Sequence, residues 1–354
     1  MIIYLDKTIG EYCSTNELKE NEIALFSDLA YAHQKGYCLL CGDLTSTEIL
    51  MSILPETSKS TYKKVYSHFY KIRSIIEKVE TLIVISYNDT PVVPDFMNGK
   101  YRLLKVDNAR TFNLNEKCTL VAEHLDDCKF YTLLAQRYMF LQQIKGVEMS
   151  FHNELGGGNT INKVFQKCIS QDKTLTLCIA DSDLTHGSTK RFPNDPGKGD
   201  TAYLLEKTYK EIKKSIPPVT FELYLLPIHE IENLIPICIL IHISNNGCPD
   251  IKKGLDILQS LKEAECTQAI LYYDFKKGCE QAKKEPYVEY WNEIKAILNV
   301  STLPCLSSKL TEKAIGFIEE NCFEIPIDEY LAILWNDIGL KVFSWGCSNE
   351  PIRA

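Results

Sequence analysis

The stretch LTLCIADSDLTHGS ends an apolar run in two aspartates, Asp181 and Asp183, one residue apart. In an extended segment residues i and i+2 point to the same face, so both carboxylates are expected to aim at one point. Two further acidic features follow the same logic. Glu123 closes the apolar run TLVAEHL, with Asp127 four positions on. Glu230 and Glu232 lie in PIHEIENLIP, just after FELYLL. Carboxylates that converge in a low-dielectric crevice repel one another, and a divalent cation resolves the conflict. Hard oxygen ligands suit Mg²⁺ or Mn²⁺. A site with this many carboxylates has room for two ions, the arrangement used for in-line phosphodiester cleavage.

These groups need elements that bring them to one place. From Lys117 onward, strand-like and helix-like segments alternate. CTLVAEHL, VEMSFHNEL, LTLCIADSD and VTFELYLL read as strands; DDCKFYTLLAQRYMFLQQI, NTINKVFQKCI and TAYLLEKTYKEIKKSI read as helices. Alternation of this kind predicts βαβ units and a parallel sheet, with ligands outside the carboxyl ends of the strands. The acidic features fall at those ends. Residues 1–115 read as a separate N-terminal α/β unit, with YCLLCGDL, TLIVISY and YRLLKV as strands. A basic, aromatic helix around Lys59 to Arg73 carries Tyr62, Val65, Phe69 and Ile72 on one side. Beyond about residue 236 the pattern is mostly helical; AILYYDF fits either a strand or a buried helical segment. The expected division is 1–115, 116–235 and 236–354, and no internal repeat is legible.

Other polar groups belong to the same inventory. Lys276 and Lys277, after AILYYDF, fit either a solvated turn or a lysine that stabilises charge on a scissile phosphate. His186, Lys190, Arg191 and Lys198 lie in a Pro/Gly-rich loop just beyond the aspartate pair and are candidates for substrate contact. Glu154, before GGG, is a possible accessory ligand. The glycines themselves fit a plain turn or a phosphate approach to the following helix; no Gly-Lys-Ser/Thr follows them, so they are not a Walker loop. HEIEN lacks the second histidine of a zinc protease. Cys38 and Cys41 have CxxC spacing without a second ligand pair, so a buried strand is the expectation there.

The succession LVAEHLDD, ELGGGNTINKVFQK, CIADSD and HEIENLI resembles a Toprim domain, closest to those of OLD-family nucleases and related Toprim proteins of bacterial phage-defence systems. The resemblance covers roughly residues 117–235. It matches Glu123 to the family's first Glu, Asp127 to the acidic residue four positions on, Asp181 and Asp183 to its DxD, and Glu230 and Glu232 to its later acidic motif. Where that family usually has Gly after the first Glu, this chain has His124. The resemblance implies a Toprim-like parallel sheet flanked by helices and a metal-dependent nuclease acting on DNA or RNA. It assigns Glu123, Asp181 and Asp183 to the principal Mg²⁺ or Mn²⁺, and Asp127, Glu230 and Glu232 to a second site or to orienting ligands. OLD nucleases carry an ATPase in the same chain. No Walker A motif occurs here, so the resemblance implies a separate ATPase partner and an oligomer or hetero-complex. The competing readings are a non-catalytic Toprim-like scaffold and a transferase that holds a metal–nucleotide on its DxD.

Composition sets bounds on these readings. The chain has 354 residues and a net charge of −8, which argues against broad, non-specific coating of nucleic acid. No apolar run is long enough for a membrane span. The opening MIIYLDKTIGEYC is too polar for a signal peptide. The 14 scattered cysteines fit a reducing compartment, so a cytoplasmic protein is expected.

Overall fold

The computed structural model describes residues 1–351 except 98, 185–200, 247, 280–286, 308–309 and 322–323. The chain opens with β1 (Ile2–Leu5), α1 (Lys7–Cys13), α2 (Glu20–Gln34), β2 (Leu39–Gly42), α3 (Leu44–Ile53), α4 (Glu56–Ile76), β3 (Leu82–Ser86), β4 (Tyr101–Lys105) and α5 (Val106–Ala109). These four strands form one parallel sheet in the order β2-β1-β3-β4. Cys38 and Cys41 are buried at and within β2, as a strand reading requires.

A second set follows: β5 (Cys118–Ala122), α6 (Leu125–Leu141), β6 (Glu148–Met149), β7 (Phe151–Leu155), α7 (Ile161–Ser170), β8 (Thr176–Ala180), α8 (Thr201–Ile212) and β9 (Phe221–Leu225). Here the parallel sheet has the order β7-β5-β8-β9. Both sheets therefore place their first strand second and their second strand at the edge. The sequence shows no repeat, yet the topology is repeated, because strand order depends on crossover direction rather than on residue identity. The protein is thus α/β, with parallel sheets flanked by helices.

Alternation within the strands explains why they read as continuous apolar runs. Leu120 of β5 and Leu177 and Ile179 of β8 enter the main core, while Val121, Cys178 and Ala180 face a smaller core with Ile161 and Phe165 of α7 and Leu205 of α8. Both faces are covered, so both parities must be apolar.

The remaining chain adds α9 (Ile237–Asn245), α10 (Lys252–Glu263), α11 (Thr267–Leu271), α12 (Tyr287–Leu298), α13 (Leu310–Glu320), α14 (Glu329–Gly346) and β10 (Cys347–Ser348). AILYYDF resolves into the short α11 and a following turn. This last part is bound closely to the rest. α14 packs along α6, β10 pairs antiparallel with β6, and Trp335 Nε1 donates to Leu234 O at 2.8 Å. The two sheets are joined through Glu222 of β9, which pairs with Arg102 of β4 and accepts from Lys341 at 2.6 Å and Trp345 Nε1 at 3.2 Å, both on α14. Among the described residues no helix is long and apolar enough to cross a membrane.

Candidate metal centre

β5 and β8 are neighbours, but the connection leaving β5 runs to β7 on the other side. A crevice opens at such a reversal, outside the carboxyl ends of the strands. Glu123 follows β5 directly and Asp181 follows β8 directly, so these two carboxylates flank the crevice. Both line a cleft of about 400 Å³ together with Asp183, Glu230 and Lys276.

Asp183 reaches the cleft by a different route from strand alternation. Regular β8 ends at Ala180, and Asp183 has φ +53°, a left-handed conformation that costs a non-glycine residue energy. The turn is pinned from the neighbouring loop: Asp183 N–H donates to His229 O at 3.0 Å, and Ser182 Oγ donates to Ile228 O. In return, Ile231 N–H donates to Asp181 Oδ1 at 2.9 Å. The DxD and the HEIEN loop thus hold each other.

On the other side of the crevice the glycines have a local role. A Cβ on Gly156 would meet Ile161 Cγ1 at 2.4 Å and Ala122 O at 2.7 Å, and Gly157 is left-handed at φ +67°. Gly157 N–H donates to Glu123 O at 3.0 Å, so the tight turn after β7 fixes the backbone carrying Glu123. Gly158 and Asn159 then border the cleft. His124 is extended at φ −129°, so no glycine is required there. Its N–H is instead satisfied by Asp127 Oδ2 at 2.9 Å. Asp127 is buried and spends that oxygen capping α6, beside the cleft rather than on its wall.

The HEIEN loop is organised by Asn233, which is 1 % exposed. It accepts from Glu230 N–H at 2.9 Å and donates to Ile270 O at 2.7 Å and Tyr273 O at 2.9 Å. These bonds carry residues 270–276 to the site. Glu230 Oε1 accepts from Phe275 N–H at 2.8 Å, and its Oε2 lies 3.1 Å from Lys276 Nζ. Lys276 also stands 3.2 Å from Glu232 Oε1. Glu230 therefore has both oxygens engaged, whereas Glu232 Oε2 is buried with no partner among the described residues.

Electrostatics follow from burial and crowding. Burial, then the charges of Glu123 and Glu232, push the Asp181 carboxyl well up. Burial, then Asp183 and Asp127, raise Glu123; burial also raises Asp127, against its bond from the His124 N–H. Glu232 is raised to about 7 by burial and by Glu230, with Lys276 opposing. Lys276 is itself raised: burial disfavours its charge, but Glu230, Glu232 and Asp181 outweigh that. Asp181, Glu230 and Glu232 offer oxygens within 4.8 Å of one another, a spacing that suits one hard cation.

Sequence reasoning missed two residues here. His229 and Asp274 border the cleft and face each other, with Nε2 3.7 Å from Oδ2. His229 Nδ1 lies 2.9 Å from Leu184 O and so carries a proton. Burial disfavours the imidazolium, but Asp274 and Glu230 overcome it and raise the histidine; Asp274 is lowered in turn by His229, against its own burial. Asp274 lies two positions before Lys276, a pairing visible in YYDFKK only once both ends are known to meet the HEIEN loop. Glu154, the possible accessory ligand, sits on edge strand β7 beside His152 at 3.2 Å and does not line the cleft. His186, Lys190, Arg191 and Lys198 lie outside the described residues. Comparison with protein-family models, with curated proteins and with solved structures finds no match to this chain.

Proposed function

We propose that this chain is a Toprim-type nuclease that uses Mg²⁺ or Mn²⁺ to cleave phosphodiester bonds in DNA or RNA, as the cytoplasmic effector of a bacterial anti-phage defence system working with a separate ATPase in an oligomer or hetero-complex. The observation that carries the reading is the group Asp181, Glu230 and Glu232 at the β5/β8 crevice, with oxygens within 4.8 Å of one another: Glu232 keeps a buried oxygen without a hydrogen-bond partner among the described residues, and burial, then Glu123 and Glu232, push Asp181 toward protonation. Such a set is costly unless a cation joins it. The donors are all carboxylate oxygens, which fits a hard divalent ion.

In this reading Glu123, Asp181 and Asp183 would hold the principal ion, and Glu232 would contribute to a second. When bound, the ions supply activation of a water and charge neutralisation at the scissile phosphate. Glu230, with both oxygens engaged, orients Lys276 and the Phe275 backbone. Asp127 fixes the turn that presents Glu123. Lys276 puts positive charge on the cleft wall, where it can donate to a phosphate oxygen, and His229 and Asp274 border it. Most of the described cysteines are buried, as small apolar side chains are in proteins of a reducing compartment.

The test is a cleavage assay on the purified full chain with supercoiled plasmid, linear duplex, single-stranded DNA and tRNA, each in Mg²⁺, Mn²⁺ or EDTA. Metal-dependent cutting that Asp181→Asn abolishes is expected, and the preferred substrate then separates DNA from RNA. Metal binding without cutting of any substrate, alone or with a co-purified ATPase, would leave the Toprim-like scaffold as the better reading. Tight nucleotide–metal binding without cleavage would favour the transferase.

A further inference from the structure

A second cavity, of about 530 Å³, lies where three parts of the chain meet: α4 with β2, the loop after α6, and the segment after β10. Cavities of roughly 300–1,000 Å³ are the size that encloses small ligands. Its rim is basic. Lys64, His68 and Lys71 of α4 follow one another at helical spacing, and Lys145 joins them from the loop after α6. Among the described residues no ion pair engages any of these lysines. The single carboxylate on the lining is Glu350, so this region is positive on a chain whose net charge is −8.

Its floor is apolar, made by Leu39 of β2, Val65, Ile72 and Ile75 of α4, and Val147. The third wall is held in place. Asn349 N–H donates to Cys38 O at 3.2 Å and Asn349 Nδ2 to His33 O at 3.4 Å. Gly36 leaves room for it: a Cβ there would meet Asn349 O at 2.8 Å and Pro351 Cγ at 2.9 Å.

We propose that this cavity binds a nucleoside phosphate. The three lysines and His68 match a polyphosphate, the aliphatic floor matches the face of a base, and Asn349 and Glu350 offer acceptors to the base edge or ribose hydroxyls. Three ammonium groups on one rim, with the His68 ring beside them, exceed what a monophosphate needs, so a triphosphate is the expected best ligand. The basic face of α4, which the metal centre does not use, thereby acquires a role. The inference is independent of the chemistry at the β5/β8 crevice.

The test is isothermal titration of the full chain in EDTA with ATP, AMP and inorganic phosphate. Without divalent ions the acidic cleft repels all three, so binding reports on the basic cavity. ATP is expected to bind at least about tenfold more tightly than phosphate, with AMP between them. Lys64→Ala/Lys71→Ala and, separately, Lys145→Ala should each weaken ATP by about tenfold or more, while Asp181→Asn leaves it unchanged. These lysines are exposed, and an unchanged melting temperature in each variant checks that the fold is intact. A Kd for ATP above about 1 mM, phosphate binding as tightly as ATP, or ATP affinity untouched in both lysine variants would each overturn the proposal.

Discussion

Lys276 Nζ stands 3.2 Å from Glu232 Oε1, while the other oxygen of Glu232 is buried without a partner. One lysine thus compensates part of a carboxylate cluster, and in the proposed reading a cation compensates the remainder. The consequence is a molecule whose stability should depend on metal and on pH in a defined direction.

In EDTA the folded protein holds a proton on Glu232 up to about pH 7, whereas an unfolded glutamate releases it near 4.5. Between those values the folded state binds more protons, so stability should fall as pH rises through that window and level off above it. Asp181 and Glu123, raised by the same crowding, add to the slope. The expected loss is on the order of 3 kcal/mol. Mg²⁺ should restore it, and more at pH 8 than at pH 6. Melting temperatures across pH 5–8, with and without Mg²⁺, check this; a rise with pH in EDTA would contradict it.

Asn233→Ala removes three hydrogen bonds at a buried position and orphans two carbonyls and one N–H. The expected cost is about 2–4 kcal/mol. Because Asn233 joins the loop of Glu230 to the segment of Lys276, metal affinity and cleavage should fall as well, even under conditions where the variant is folded. Denaturant unfolding beside a metal titration separates the two effects. Full metal affinity in the folded variant would show that the 270–276 segment needs no such anchor.

Gly156→Ala introduces a Cβ that must displace Ile161 or the Ala122 carbonyl. Overpacking of this kind typically costs about 1–3 kcal/mol. Since Ala122 precedes Glu123, the shift should also reach the metal centre. A Gly158→Ala control meets no atom but is left-handed at φ +53°, so it should cost only the conformational strain, roughly 1 kcal/mol. Equal losses in stability and metal affinity for the two variants would argue against close packing at Gly156.

Glu222 is enclosed, and its burial raises its carboxyl, but Lys341 and Arg102 more than reverse that and lower it. Its contribution is therefore fully present above its unfolded value near 4.5 and is lost as pH falls through the folded value. Glu222→Gln leaves two cations facing a neutral amide and should cost about 3 kcal/mol at neutral pH, less in strong acid. Chemical denaturation of both proteins at pH 7 and pH 3 measures it; a constant difference across pH would rule out the ionic account.

The parallel β/α pattern after residue 117, and the fact that Glu123, Asp181 and Glu230 end or follow strands, were legible because period and position are local properties of a chain. The aspartates' convergence was legible too, though for the wrong local reason: alternation stops at Ala180, and a left-handed Asp183 held by the His229 carbonyl makes the turn. Glu154, expected as an accessory ligand, lies on edge strand β7 beside His152 and does not line the cleft.

What the sequence determined by itself is the set of strands, the acidic residues at their ends and the apolar parity that buries both faces. Only the tertiary structure decided which of those acids share a cleft, that Lys276 and the His229–Asp274 pair join them, and that two sheets of one strand order meet at Glu222. Period and propensity act over a few residues. These contacts join positions tens to hundreds of residues apart, and their partners are chosen by crossover direction and packing, which no short stretch encodes.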